Sequence, residues 1–138
     1  MTRHPAHPKS YLICTEQRLL TAGTRLMRPS DNNINFTTTF GYPGGRSSSL
    51  TGMHCAAEIT GHTSNGVVTI DCLVNNSVVF TAVSATVTGV GVVYFQFLQR
   101  PGIDLFAHPD FLTTQLTLTA STIEVTDILA VVEVELDS

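Results

Sequence analysis

The chain has 138 residues, which fits one domain and is long enough to bury a core without metal or disulfides. Charged residues make up 13% of it and the net charge is −4, about half the usual ~25% charged share, which argues against nucleic acid as a partner because phosphate contacts draw on several Lys and Arg. No run reaches the ~18 apolar residues of a membrane helix, and no apolar h-region follows the basic N-terminus, so neither a membrane nor a secretory signal is expected.

Charge is unevenly placed. Residues 1–46 hold six basic and two acidic residues, net +4; residues 47–138 hold one basic and nine acidic residues, net −8. Two His-Pro pairs, His4-Pro5 and His7-Pro8, favour an extended chain at the start. Residues 1–30 therefore read as an extended basic arm beside an acidic body at 31–138. The arm can lie on its own subunit, on a neighbour or on another acidic surface. Roughly 30 extended residues span ~100 Å, so reach does not limit it.

From Ile34 onward the pattern is strand after strand. "NINFTTTF" alternates loosely with period 2, and "GYPGGRSSS" is a loop punctuated by Pro43-Gly44-Gly45. "MHCAAEIT" places Met53, Cys55, Ala57 and Ile59 on one face. Asn65-Gly66 is a strong hairpin signal, and "VVTIDCLV" returns with Val68, Ile70, Cys72 and Val74 inward. Residues 53–74 are expected as a hairpin. "VVFTAVSATVTG" reads as one long strand. "VVYFQFLQR" is apolar on both faces, as expected of a strand covered on each side or lying at an interface. "TTQLTLTAS" alternates Leu116 and Leu118 with Thr. "ILAVVEVELDS" places Ile128, Ala130, Val132, Val134 and Leu136 inward, with Glu133 and Glu135 outward.

About eight strands at 8–14-residue spacing, without alternating helices, predict an all-β fold. An antiparallel β-sandwich, jelly-roll-like, with an extended N-terminal arm is the expected architecture; an up-and-down barrel is the alternative.

Candidate chemistry is sparse. His54, Cys55, His62 and Cys72 cluster in sequence, but adjacent His54 and Cys55 face opposite sides of a strand and cannot easily share a zinc ion. His4 and His7 lie in the extended arm. Asp104, His108 and Asp110 flank one loop without suggesting mutual geometry, and no G-x-S-x-G elbow is present. No catalytic residue, metal or cofactor is expected, and the protein is not expected to be an enzyme. Cys14, Cys55 and Cys72 are expected as buried thiols, with a Cys55–Cys72 bridge as the alternative. Tyr42 and Tyr94 are the candidates for a sugar-stacking platform.

The low charge, the Thr/Val strands and the closing "VVYFQFLQRPG…TTQLTLTASTIEVTDILAVVEVEL" resemble small β-sandwich structural proteins of tailed phages, most similar to capsid decoration (cement) proteins, across residues 50–138. That resemblance implies a homo-oligomer, a trimer by preference, on the exterior of an icosahedral head built from a major capsid protein, made in the host cytoplasm. Interface candidates are Arg3, Lys9, Arg18, Arg25 and Arg28 of the arm, Tyr42 and Arg46 of the loop, and Glu133 and Glu135 of the last strand. A carbohydrate-binding module and a self-assembling coat, fibre or adaptor protein are the alternative functions.

Overall fold

The computed structural model describes residues 8–30, 34–119 and 122–137. It is a β-sandwich of two antiparallel sheets. The first sheet is ordered β3 (Arg28–Pro29), β1 (Lys9–Glu16), β11 (Ile123–Leu136), β5 (Ser48–His62), β8 (Gly91–Leu98), and β9 (Asp104–Phe106) also pairs with β5. The second is ordered β2 (Gly23–Leu26), β10 (Phe111–Leu118), β6 (Val68–Val74), β7 (Ser77–Val83), with β4 (Tyr42–Pro43) beside β10.

The period-2 pattern places the core. Met53, Cys55, Ala57 and Ile59 of β5 are buried, as are Ile128, Ala130, Val132 and Val134 of β11. They face Val68, Ile70 and Cys72 of β6 and Leu112, Leu116 and Leu118 of β10 in one hydrophobic cluster. Burying each large aliphatic side chain contributes about 1.5–3 kcal/mol, so inward alternation on these four strands selects the sandwich. All three cysteines are buried free thiols, and no Cys55–Cys72 bridge forms.

Several expectations change. Residues 53–74 are not a hairpin. β5 lies in the first sheet between β11 and β8, and β6 lies in the second between β10 and β7, so the segment through Asn65-Gly66 carries the chain from one sheet to the other. Both flanks of β5 are already taken, and its apolar face is needed against β6 rather than beside it. The hairpin turn is instead Asn75-Asn76, at φ 52° and 64°, which joins β6 to β7; Asn tolerates this left-handed region better than most residues. "NINFTTTF" is not a strand: Thr37 and Phe40 bond to each other across a tight turn, which buries Phe36 against Tyr42 and leaves Phe40 exposed. The expected long strand from Val78 ends at Val83.

The expected arm is, over Pro8–Ser30, part of both sheets. β1 pairs with β11 over all eight of its residues, from Lys9↔Glu135 to Glu16↔Ile128. It turns Leu12, Cys14 and Glu16 inward. β2 then joins β10 in the second sheet, and the chain crosses back through buried Met27 to form β3. His4, His7 and Arg3 lie outside the described residues.

Candidate functional site: the outer face of the first sheet

The solvent side of the first sheet is laid out by its register. One row runs Tyr11, Glu133, Gly52, Leu98; the next Ile13, Val131, His54, Gln96; the third Thr15, Leu129, Ala56, Tyr94. Charged residues are few here. Tyr94 is 80% exposed, Leu98 56%, Val92 55% and Tyr11 53%, with Ile13 and Leu129 also open to solvent. β8 is thus an edge strand with one face uncovered, not a central strand covered on each side.

Near one end of this face stands a polar cluster built by a β-bulge. The pairing of β11 with β5 skips one residue between Glu133↔Gly52 and Val134↔Leu50. The extra residue, Thr51, bends its hydroxyl onto Glu133 Oε1 at 2.9 Å. Gly52 belongs here for a steric reason: a Cβ would meet Leu98 Cδ2 and the Phe97 carbonyl oxygen at 2.8 Å. Lys9 Nζ donates to the same Oε1 at 2.8 Å, and His54 Nε2 lies 3.2 Å from Oε2. His54 Nδ1 in turn lies 3.1 Å from Gln96 Oε1. The Lys9 ammonium holds the Glu133 carboxyl down at about 2, helped by His54 and Thr51 and opposed by burial. Glu133 correspondingly raises the pKa of Lys9. The cluster neutralises the Glu133 carboxylate and leaves exposed apolar side chains on either side of it.

The remaining candidates separate. Arg18 clamps buried Glu16, with Nε 2.9 Å from Oε1 and Nη2 2.7 Å from Oε2. Burial pushes that carboxyl up, but Arg18 outweighs it and the pKa is lowered. Arg25 Nη1 donates to the carbonyls of Arg18 and Leu19, each at 3.3 Å. Arg28 keeps its Nε buried without a hydrogen-bond partner among the described residues. Arg18, Arg25 and Arg28 line one shallow cleft with Asn35 and Phe36. Tyr42 is half-buried and donates its hydroxyl to the Ile13 carbonyl at 2.6 Å, so it is tied into the fold. Arg46 is exposed on its loop, and Glu135 is half-buried opposite Lys9 and Ser49.

Sequence reading missed Thr51, His54 and Gln96 as members of this face. Period 2 puts His54 and Gln96 outward, but only pairing in register brings them together. Asp104 accepts from Gln99, and Asp110 accepts from Asn75 and the Ala107 amide. Among the described residues no group of three or more His, Cys, Asp or Glu is placed to hold a metal ion. Compared with known protein families, curated proteins and solved structures, the chain matches none.

Proposed function

We propose that this protein is a structural assembly subunit, a capsid decoration protein that fastens to an icosahedral head through the outer face of its first sheet. The observation that carries the reading is that face itself. Its three rows leave Tyr11, Ile13, Leu129, Tyr94 and Leu98 open to water on one continuous sheet surface. Scattered exposed apolar residues are ordinary, but five large ones gathered on one sheet face of a small domain favour contact with another macromolecule. Tyrosines suit such a surface, combining large apolar area with a polar tip. The low overall charge lowers the desolvation cost of docking.

The resemblance to phage decoration proteins supplies the partner: a major capsid protein, on the outside of the head. With Pro8–Ser30 built into both sheets, we assign the contact to the sheet face rather than to a free basic leader. Lys9 and Arg18 already hold carboxylates of their own subunit.

The test is co-sedimentation with empty shells of any major capsid protein encoded in the same genome as this chain. The native protein is expected to saturate the shells at a fixed stoichiometry. Ile13→Asp and Leu129→Asp, which place charge at half-open positions in the middle of the face, are expected to weaken binding at least tenfold while preserving the β-sheet circular dichroism. Undiminished binding by both variants, or no binding by the native chain, defeats the proposal.

A further inference from the structure

β8 is the last strand of the first sheet's path, and among the described residues no strand pairs with its far side. The identity of the unpaired backbone groups follows from the ladder. Gln99 N donates to the Thr51 carbonyl at 3.0 Å, continuing the register in which Leu98 lies opposite Gly52. Backbone groups alternate sides along an antiparallel strand. Gln99, Phe97, Phe95 and Val93 therefore bond toward β5. Leu98, Gln96, Tyr94 and Val92 point their N–H and C=O groups at the free edge.

Folded proteins blunt such edges with Lys, Pro, bulges or brevity. The other edges here are blunted: β2, β4 and β9 are four, two and three residues long, and β2 carries Arg25. β3 is two residues long and contains Pro29. β7 carries a bulge, where pairing jumps between Cys72↔Phe80 and Leu73↔Val78. β8 has none of these devices. Its eight residues contain no charge and no proline, and they pair with β5 without a register shift.

We propose that the free edge of β8 pairs with β8 of a second copy, antiparallel about a two-fold axis, joining the two first sheets into one; this deepens the assembly reading above by naming one neighbour. One register uses all four edge residues, with Val92 opposite Leu98 of the second copy and Tyr94 opposite Gln96 of the second copy. Each residue contributes one donor and one acceptor, so the four opposed pairs exchange two hydrogen bonds apiece. On the open face, the exposed Val92 and Leu98 side chains cover each other across the junction.

Charge favours the second copy over an unlike strand. An uncharged strand meets no like-charge penalty on pairing with itself. Arg100 lies just past β8, Asp104 pairs with Leu50 in line with β8 and accepts from Gln99 at 2.8 Å, and Glu58 lies opposite Val92 on β5. Antiparallel pairing brings Arg100 and Asp104 of each copy to the Glu58 end of the other, so both signs are present at each end and the junction between them stays uncharged. A two-fold interface of this kind is isologous and closes at two subunits.

The experiment is analytical ultracentrifugation of the chain alone over a wide concentration range. The native protein is expected to be a dimer. Gln96→Pro removes an edge N–H that bonds to nothing within the subunit. It is expected to keep the circular dichroism spectrum and to weaken dimerisation about a hundredfold, since two donors are lost per dimer. Tyr94→Lys places a cation on an edge position whose side chain is almost wholly in solvent, and is expected to weaken it about tenfold; it also serves should proline disturb the strand. A monomer at every concentration, a trimer, or a dimer unmoved by both variants overturns the pairing. Leu129 and Ile13 lie two and three strands from β8, so Leu129→Asp and Ile13→Asp are expected to leave the dimer intact. Loss of shell binding and loss of dimerisation are thereby separate readouts.

Discussion

Replacing Glu133 by Gln keeps the shape of the side chain and removes its charge. Glu133 is 9% exposed and receives Lys9 and Thr51 on one carboxylate oxygen and His54 on the other. Lys9 is the main reason that its pKa is lowered from 4.5 to about 2. Because the native pKa is the lower one, the unfolded chain takes up this proton first. Ionised Glu133 therefore stabilises the fold fully above about pH 4.5, and the contribution drains away as pH falls from there to about 2. A gap of about 2.5 in pKa, at ~1.36 kcal/mol for each, sets a ceiling of about 3 kcal/mol. Lys9 and His54 keep 46% and 42% of their side-chain surface in water, so solvent screening reduces the realised value to about 1–2 kcal/mol.

Glu133→Gln is accordingly expected to unfold about 1–2 kcal/mol more readily than the native chain at roughly pH 7, and equally readily near pH 2. Urea denaturation followed by far-ultraviolet circular dichroism reads this directly, since the chain has no tryptophan to follow. Comparing variant with native protein cancels the other carboxyls, Glu16 among them. A difference that stays constant from neutral to acid pH would refute the electrostatic account and leave only altered packing. No difference at neutral pH would mean that water screens the cluster completely.

Two further outcomes are expected. Asn76→Gly relieves a side chain held at φ 64° and should raise stability by about 0.5–1 kcal/mol in the same urea assay. Asn75→Gly should instead lower it by about 1–2 kcal/mol, because the Asn75 side chain donates to Asp110 at 2.9 Å and accepts from the Phe111 amide at 3.1 Å. Burial pushes the thiols of Cys14 and Cys55 up to about 12 and Cys72 well above its usual value. A disulfide reagent should therefore leave the native protein unlabelled near neutral pH and count three thiols in urea; rapid labelling of the folded chain would contradict the buried placement.

How much of this was legible depends on whether a feature is local. Alternation along β5, β6 and β11 is local, and it marked Met53, Ile70 and Val132 as core and Glu133 as outward. Strand partnership is not local. β6 with β7 is the one pair of consecutive strands that bond to each other among the described residues, and every other ladder joins strands separated by at least one more. A turn dipeptide reports only that the chain can reverse. Asn65-Gly66 and Asn75-Asn76 both carry such a signal, and what decides between them is whether the flanking strands still have a free edge and a compatible apolar face. The basic leader was legible as charge but not as structure. Its complementarity with the acidic last strand is realised within one subunit, where Lys9 reaches Glu133, because backbone pairing of β1 with β11 sets the two side chains on the same face. The Glu133 cluster lies furthest from what residues alone can tell, since the bulge that turns Thr51 onto the carboxylate exists only once β5 and β11 are in register. The free edge of β8 has the same origin. The uncharged run Gly91–Leu98 is plain in the sequence, yet whether it is a covered central strand or an open edge is decided by strand pairing, and among the described residues no strand pairs with its far side. The N–H and C=O groups along that edge are a template that another strand can satisfy, and the proposed pairing of β8 rests on this feature of the fold rather than on composition.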